Sequence, residues 1–111
     1  MDELMMLAKQ SMSIVETSTI KDEEIGMWIN AGIADLKRLD INPDITNDLV
    51  KSAIIMFVKA NFGNVDIKEK ELSQRTYNLL CNNLGLSDDY KVVDSNAWYS
   101  LHIAIYYHYT R

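Results

Sequence analysis

One stretch constrains this chain more than any other. Residues 49–63 read Leu-Val-Lys-Ser-Ala-Ile-Ile-Met-Phe-Val-Lys-Ala-Asn-Phe-Gly, and every side chain from Ala53 to Val58 is apolar. A helix that is apolar almost all round cannot lie on a surface, so it belongs in the middle of a bundle. Asn61-Phe62-Gly63 closes it, with Gly63 expected as the left-handed residue that stops the last turn. Nothing in the stretch can make or break a bond, so its part is structural.

The segments around it read as its helical partners. A first helix is expected over residues 2–13, with Asp2 as N-cap and Leu4, Leu7, Ala8 and Met12 at helical spacing. Residues 15–19 are rich in β-branched and hydroxyl side chains, which favours a break. A second helix is expected over residues 21–39. Asp22, Glu23 and Glu24 crowd its first turn and Lys37 and Arg38 its last, as the helix dipole favours. Ile25, Ile29, Gly32, Ile33 and Leu36 form its apolar stripe, with Trp28 at the edge.

Pro43 biases Asn42 away from helix, so Asn42-Pro43-Asp44 is a turn. Thr46 then stands as N-cap of the central helix, over residues 47–62, with Ile45 and Val50 as a hydrophobic staple. A fourth helix opens at Asp66, with Glu69 at capping-box spacing. Leu72, Thr76, Tyr77, Leu80 and Leu84 mark its expected buried face, and Gly85 with Leu86 behind it suits a Schellman ending. The fold class is therefore all-α, a small antiparallel bundle of about four helices with an extended or β-like C-terminal tail. Residues 1–90 form the helical core and residues 91–111 the tail or arm.

The tail has a different character. Tyr99, Leu101, Ile103, Ile105, Tyr107 and Tyr109 alternate with Ser100, His102, Ala104, Tyr106 and His108, a period of two that favours a strand over a fifth helix. Such a strand pairs with Val92-Val93, packs on the bundle, or engages another chain. Large aromatic and apolar groups also anchor interfaces. Such a surface either completes the core or binds a partner. On the second reading Trp98, Tyr99, Leu101, Ile103, Ile105 and Tyr107 are the candidate partner-binding residues, on a strand or extended arm, mobile or exchanged with a neighbouring subunit.

Composition removes several functional classes. At 111 residues the chain is a single domain. Its net charge of −5 opposes tight, nonspecific binding to phosphates, which needs clustered Lys and Arg. Cys81 is alone, so there is no intrachain disulfide and no cysteine-based zinc site. Asp2 and Glu3 stand where a signal peptide carries basic residues, and no apolar run reaches the ~18 residues of a membrane helix. A soluble, acidic domain made in the cytoplasm is the expectation, with no membrane partner.

No arrangement of side chains amounts to a catalytic or metal site, and no cofactor is expected. His102 and His108 lie on one face of the expected strand, but at ~3.3 Å per residue they are roughly 20 Å apart and cannot share a metal. Cys81 has no histidine near it in sequence and falls by the buried face of the fourth helix, as a packed core thiol does. Asp22, Glu23 and Glu24 point in different directions around a helix, whereas chelation needs convergence. Gly63 and Gly85 follow helices rather than strands, so neither opens a phosphate-cradling loop. Lys68, Lys70 and Arg75 are offset by Glu69 and Glu71, which makes a solvated face.

Three segments in order carry a resemblance. The first runs from Asp22-Glu23-Glu24-Ile25 to Ala31-Gly32-Ile33-Ala34-Asp35-Leu36-Lys37-Arg38. The second is the central stretch from Leu49-Val50-Lys51 to Asn61-Phe62-Gly63. The third runs from Ser73-Gln74-Arg75-Thr76-Tyr77-Asn78-Leu79-Leu80 into Leu84-Gly85-Leu86-Ser87-Asp88-Asp89-Tyr90. In order and spacing they resemble the small head–tail connector proteins of tailed double-stranded-DNA phages, also called adaptor or head-completion proteins. The resemblance covers residues 20–91, and the segment from Asn96 to Arg111 departs from it.

The resemblance implies a structural virion protein at the head–tail junction, assembled in the bacterial host cytoplasm, and no enzyme. Its partners would be further copies of itself in a homo-oligomeric ring, the portal protein, and a stopper or tail-completion protein. DNA would enter only as cargo in transit through the channel that the ring extends. The family has no motif of functional residues that transfers position by position. A competing reading of the same composition is a small phage-encoded regulatory protein-binding module.

Overall fold

The computed structural model describes residues 2–86 and is all-α. Four helices follow one another: α1 (Asp2–Ser11), α2 (Asp22–Arg38), α3 (Asp48–Asn61) and α4 (Ile67–Gly85). There is no strand among the described residues. The expected strand or arm over residues 91–111 lies outside them.

The central position of α3 follows from its sequence. Val50, Ala53, Ile54, Ile55 and Val58 are buried on it, and α1, α2 and α4 all pack against it. Ile54 is fully buried, as expected, but Phe57 is only partly so. It lies where α2, α3 and α4 meet.

Ion pairs give the helix directions. Lys51 at the start of α3 holds Glu3 at the start of α1, with Nζ and Oε1 3.0 Å apart, so α1 and α3 run the same way. Lys9 near the end of α1 holds Asp22 at the start of α2, which reverses α2. Lys59 near the end of α3 lies 3.5 Å from Glu69 in the first turn of α4, which reverses α4. The bundle is thus up-down-up-down, and α2 and α4 run in the same direction.

The helix ends differ from expectation in several places. Asn47, not Thr46, caps α3: its side chain accepts hydrogen bonds from the Leu49 and Val50 amides at 2.8 and 3.2 Å. The Thr46 hydroxyl is already spent on Asp44 Oδ1, to which it donates at 2.6 Å. The cap therefore moves one residue on, the Ile45–Val50 staple spacing is lost, and Ile45 is exposed. Asp66 caps α4 as expected, accepting from the Lys68 amide, while Glu69 reaches across to Lys59.

Neither Gly63 nor Gly85 has positive φ, so neither acts as a left-handed stop. Phe62 ends α3 in an extended conformation, and Gly85 is still helical. The left-handed residues are Ser13 (φ 58°) and Asp40 (φ 59°), beyond α1 and α2. At each, paired backbone bonds complete a Schellman motif. The Ile14 amide donates to the Lys9 carbonyl and the Ser13 amide to Gln10; the Ile41 amide donates to Leu36 and the Asp40 amide to Lys37. Both motifs place an isoleucine just past the turn, and Ile41 is buried with Leu36, the residue it folds back to. Burying that apolar residue offsets the strain of a non-glycine in left-handed backbone.

The buried face of α4 is also rotated from expectation. Ser73, Tyr77, Cys81 and Leu84 are buried, Thr76 and Leu80 are intermediate, and Leu72 faces solvent.

Candidate functional site

Helices α2, α3 and α4 are joined by a ladder of aromatic rings. Phe57 sits between Trp28 and Tyr77, with ring centroids 6.3 and 5.3 Å away, the nearer pair edge-on. Gly32 makes room for it: a Cβ there would stand 3.2 Å from Phe57 Cδ1. The glycine in the stripe of α2 is thus a point of close approach.

The ladder ends in a polar group. The Tyr77 hydroxyl donates to Asp35 Oδ2 at 2.5 Å, and Arg38 holds the other carboxylate oxygen at 2.9 Å. Burial, with the Asp35 hydrogen bond adding to it, pushes the Tyr77 phenol far above its ordinary value. Burial likewise pushes the Cys81 thiol up, against the opposing effect of its hydrogen bond with Tyr77. A thiol kept protonated is a poor nucleophile. These groups lock α2 to α4 and are not arranged for chemistry.

A second polar node lies under the loop between α1 and α2. Lys9 is 4% exposed, a rare position for a lysine unless every proton is used. Its ammonium has three protons and three partners. It donates to the Glu16 carbonyl at 3.2 Å and the Ser18 carbonyl at 2.8 Å, and pairs with Asp22 Oδ1 at 2.6 Å. The contact with Asp22 is an ion pair of short distance rather than an aligned hydrogen bond. Nothing in the sequence marks Lys9 as buried, because two of its partners are backbone carbonyls seven and nine residues away.

Two open clefts flank α3. One, about 420 Å³, lies among Ser11, Met12, Ile14, Lys59, Phe62 and Glu69. The other, about 560 Å³, lies between α1 and the first half of α3 and is lined by Leu7, Lys51, Ile55 and Met56. The first also has Ser13, Asn64 and Asp66 on its wall, but Asp66 is engaged in capping α4 and Lys59 pairs with Glu69. Among the described residues no three His, Cys, Asp or Glu side chains converge as metal ligands. Asp22 of the acidic triplet is engaged by Lys9.

The surface is more informative than the interior. Leu72 and Leu79 on α4 are 58% and 64% exposed, and Met27 on α2 is 54% exposed. Leu72 and Leu79 are seven residues apart, so they lie on one face of α4, away from its buried face. The helix therefore carries two apolar stripes, of which the bundle buries one. The two exposed leucines make this face of α4 the candidate contact surface of the bundle. The candidate partner-binding residues Trp98, Tyr99, Leu101, Ile103, Ile105 and Tyr107, with His102 and His108, lie outside the described residues.

Comparison with known proteins adds one positive finding. The profile of a family described as Phage connector protein matches residues 4–91, a span that takes in all of α2, α3 and α4 and nearly all of α1. No curated protein and no solved structure matches.

Proposed function

The chain belongs to the phage connector protein family, and from that membership we propose that it is a ring-forming subunit at the head–tail junction of the virion. The family is structural. In this reading the subunit docks on the portal protein, extends the DNA channel and presents a site to stopper or tail-completion proteins. The observation that carries it is the family match itself, which coincides with the folded bundle. Among the described residues no helix is long and apolar enough to cross a membrane.

Charge supports the same reading. A channel for DNA must let the duplex slide, and a basic lining would hold it through counterion release. The chain has net charge −5. Four of its basic side chains are tied to carboxylates: Lys51 to Glu3 and Asp48, Lys9 to Asp22, Lys59 to Glu69 and Arg38 to Asp35. The Lys51 ammonium is held above its ordinary value by Glu3 and Asp48. DNA is thus cargo in transit rather than a ligand.

The division of labour proposed for the chain is a helical core over residues 1–90 and an arm over residues 91–111. Trp98, Tyr99, Leu101, Ile103, Ile105 and Tyr107 on that arm would engage a neighbouring subunit or the portal. Electron microscopy of the purified protein, alone and with the portal protein of its phage, tests the assembly. Rings, or monomers that form rings only on a portal, are expected. A stable two-fold dimer indifferent to portal protein would refute the reading. Duplex DNA near physiological salt should bind weakly or not at all; submicromolar binding with a steep salt slope would contradict the channel argument.

A further inference from the structure

The outer faces of α2 and α4 match each other residue for residue. On α2 the outer stripe is Glu23, Met27, Asn30, Ala34 and Lys37; on α4 it is Lys68, Leu72, Arg75, Leu79 and Asn82. All ten residues are exposed. Both stripes step four, three, four and three residues, the 3.5-residue repeat along which two helices pack side by side. Met27 and Ala34 on one, and Leu72 and Leu79 on the other, are spaced about 10.5 Å apart at 1.5 Å per residue.

Laid in parallel, the stripes are complementary at every level. Lys68 meets Glu23, Leu72 meets Met27, Arg75 meets Asn30, Leu79 meets the small Ala34, and Asn82 meets Lys37. Laid antiparallel, Lys68 would meet Lys37 and two like charges would oppose each other. Within one subunit the stripes do not meet: all their residues are open to solvent, while the opposite faces of both helices are buried.

We infer that the outer face of α4 in one copy packs in parallel on the outer face of α2 in a second copy of this chain. The inference deepens the ring proposed above and rests on it. Two different patches on each subunit make a heterologous contact, the kind that closes into rings. The directions of the helices fit as well. Because α2 and α4 run the same way, rotation about an axis roughly along the bundle brings α2 of one copy beside α4 of the next in parallel. A two-fold axis across the bundle would bring them together antiparallel, in the repulsive register.

The test uses the full chain, with sedimentation velocity and electron microscopy, alone and on portal protein. Leu79→Asp should abolish assembly while leaving the circular dichroism and urea midpoint nearly unchanged, since the residue is 64% exposed. Lys68→Glu and Glu23→Lys should each weaken association, by up to about fivefold per contact for an exposed ion pair, and the two combined should restore it. Met27→Cys with Leu72→Cys should form a ladder of disulfide-linked oligomers under mild oxidation, which neither single variant gives.

Wild-type rings that survive Leu79→Asp and show no such ladder would overturn this interface and leave the ring standing. They would mean that α4 is covered by something else, such as residues 87–111. A cross-link that closes within one chain would also overturn it. A wild-type protein that stays monomeric even on portal protein would overturn both the interface and the ring.

Discussion

Replacing Lys9 by methionine keeps most of the length of the side chain and deletes its ammonium group. Three partners are left behind: the carbonyls of Glu16 and Ser18, and the Asp22 carboxylate. A hydrogen bond from a charged donor contributes about 1.5–3 kcal/mol, so the two carbonyl bonds set a gross figure of roughly 3–6 kcal/mol. Part of it returns, because Glu16 is exposed and Ser18 half-buried, and water can replace the lost donor. The ion pair adds less. The Asp22 side chain is 35% exposed, and solvent-screened pairs are worth about 1 kcal/mol or less. The expected net loss is about 2–4 kcal/mol, a large share of the stability of a domain this size.

Urea denaturation followed by circular dichroism measures the total, and hydrogen exchange locates it. The Ile14 and Ser18 amides, bonded within the turns that Lys9 pins, should lose protection first. Asp22→Asn should cost roughly half as much or less, because it leaves both carbonyl bonds intact. A loss below ~1 kcal/mol for Lys9→Met, or one no greater than that of Asp22→Asn, would refute the argument that the lysine acts mainly on the loop backbone.

Three further perturbations bear on the bundle. Ile54→Ala, at a fully buried site in the central helix, should cost about 2–5 kcal/mol in urea titrations. Gly32→Val should cost about 1–3 kcal/mol, since a Cβ already meets Phe57 at 3.2 Å and the branched methyls add to the crowding. The Tyr77 phenol is held above its unfolded value of 10.0, so its contribution is complete below that pH and is lost as pH rises beyond it. Spectrophotometric titration should accordingly show Tyr77→Phe with the same phenolate absorbance between pH 9 and 11 as wild type, and alkaline unfolding should begin earlier in the variant.

The helices were legible because each carries one property the chain cannot hide. Apolar side chains recur at helical spacing on α2 and fill α3, and the charges at the ends of α2 follow its dipole. What the sequence hid was a choice between equals. Thr46 and Asn47 are both good caps, and the decision fell to Asp44, which claims the Thr46 hydroxyl. Leu72 and Leu80 look alike in sequence, yet α4 has two apolar stripes and only contact with α3 selects the one containing Tyr77 and Leu84. Glycine is the commonest left-handed residue, but here Ser13 and Asp40 hold that conformation, each closed by paired backbone bonds and followed by an isoleucine. The burial of Lys9 depends on carbonyls that converge only after the loop has folded.

The same interior decides what the surfaces can do. Lys9 fixes the start of α2 against the end of α1, and Lys59 with Glu69 fixes the start of α4 against the end of α3. Phe57, seated against Gly32 and Tyr77, sets the spacing between α2, α3 and α4. With Asp35 and Tyr77 bonded across the gap, α2 and α4 are held at one relative height. A seam matched over about four helical turns, at 3.6 residues per turn, requires that height to be constant. A slip of one residue carries a side chain about 100° around a helix of 3.6 residues per turn, which would take Leu72 off Met27 and Lys68 off Glu23. The buried polar bonds of this domain, small in number, are therefore what would keep the outer stripes in register with a second copy.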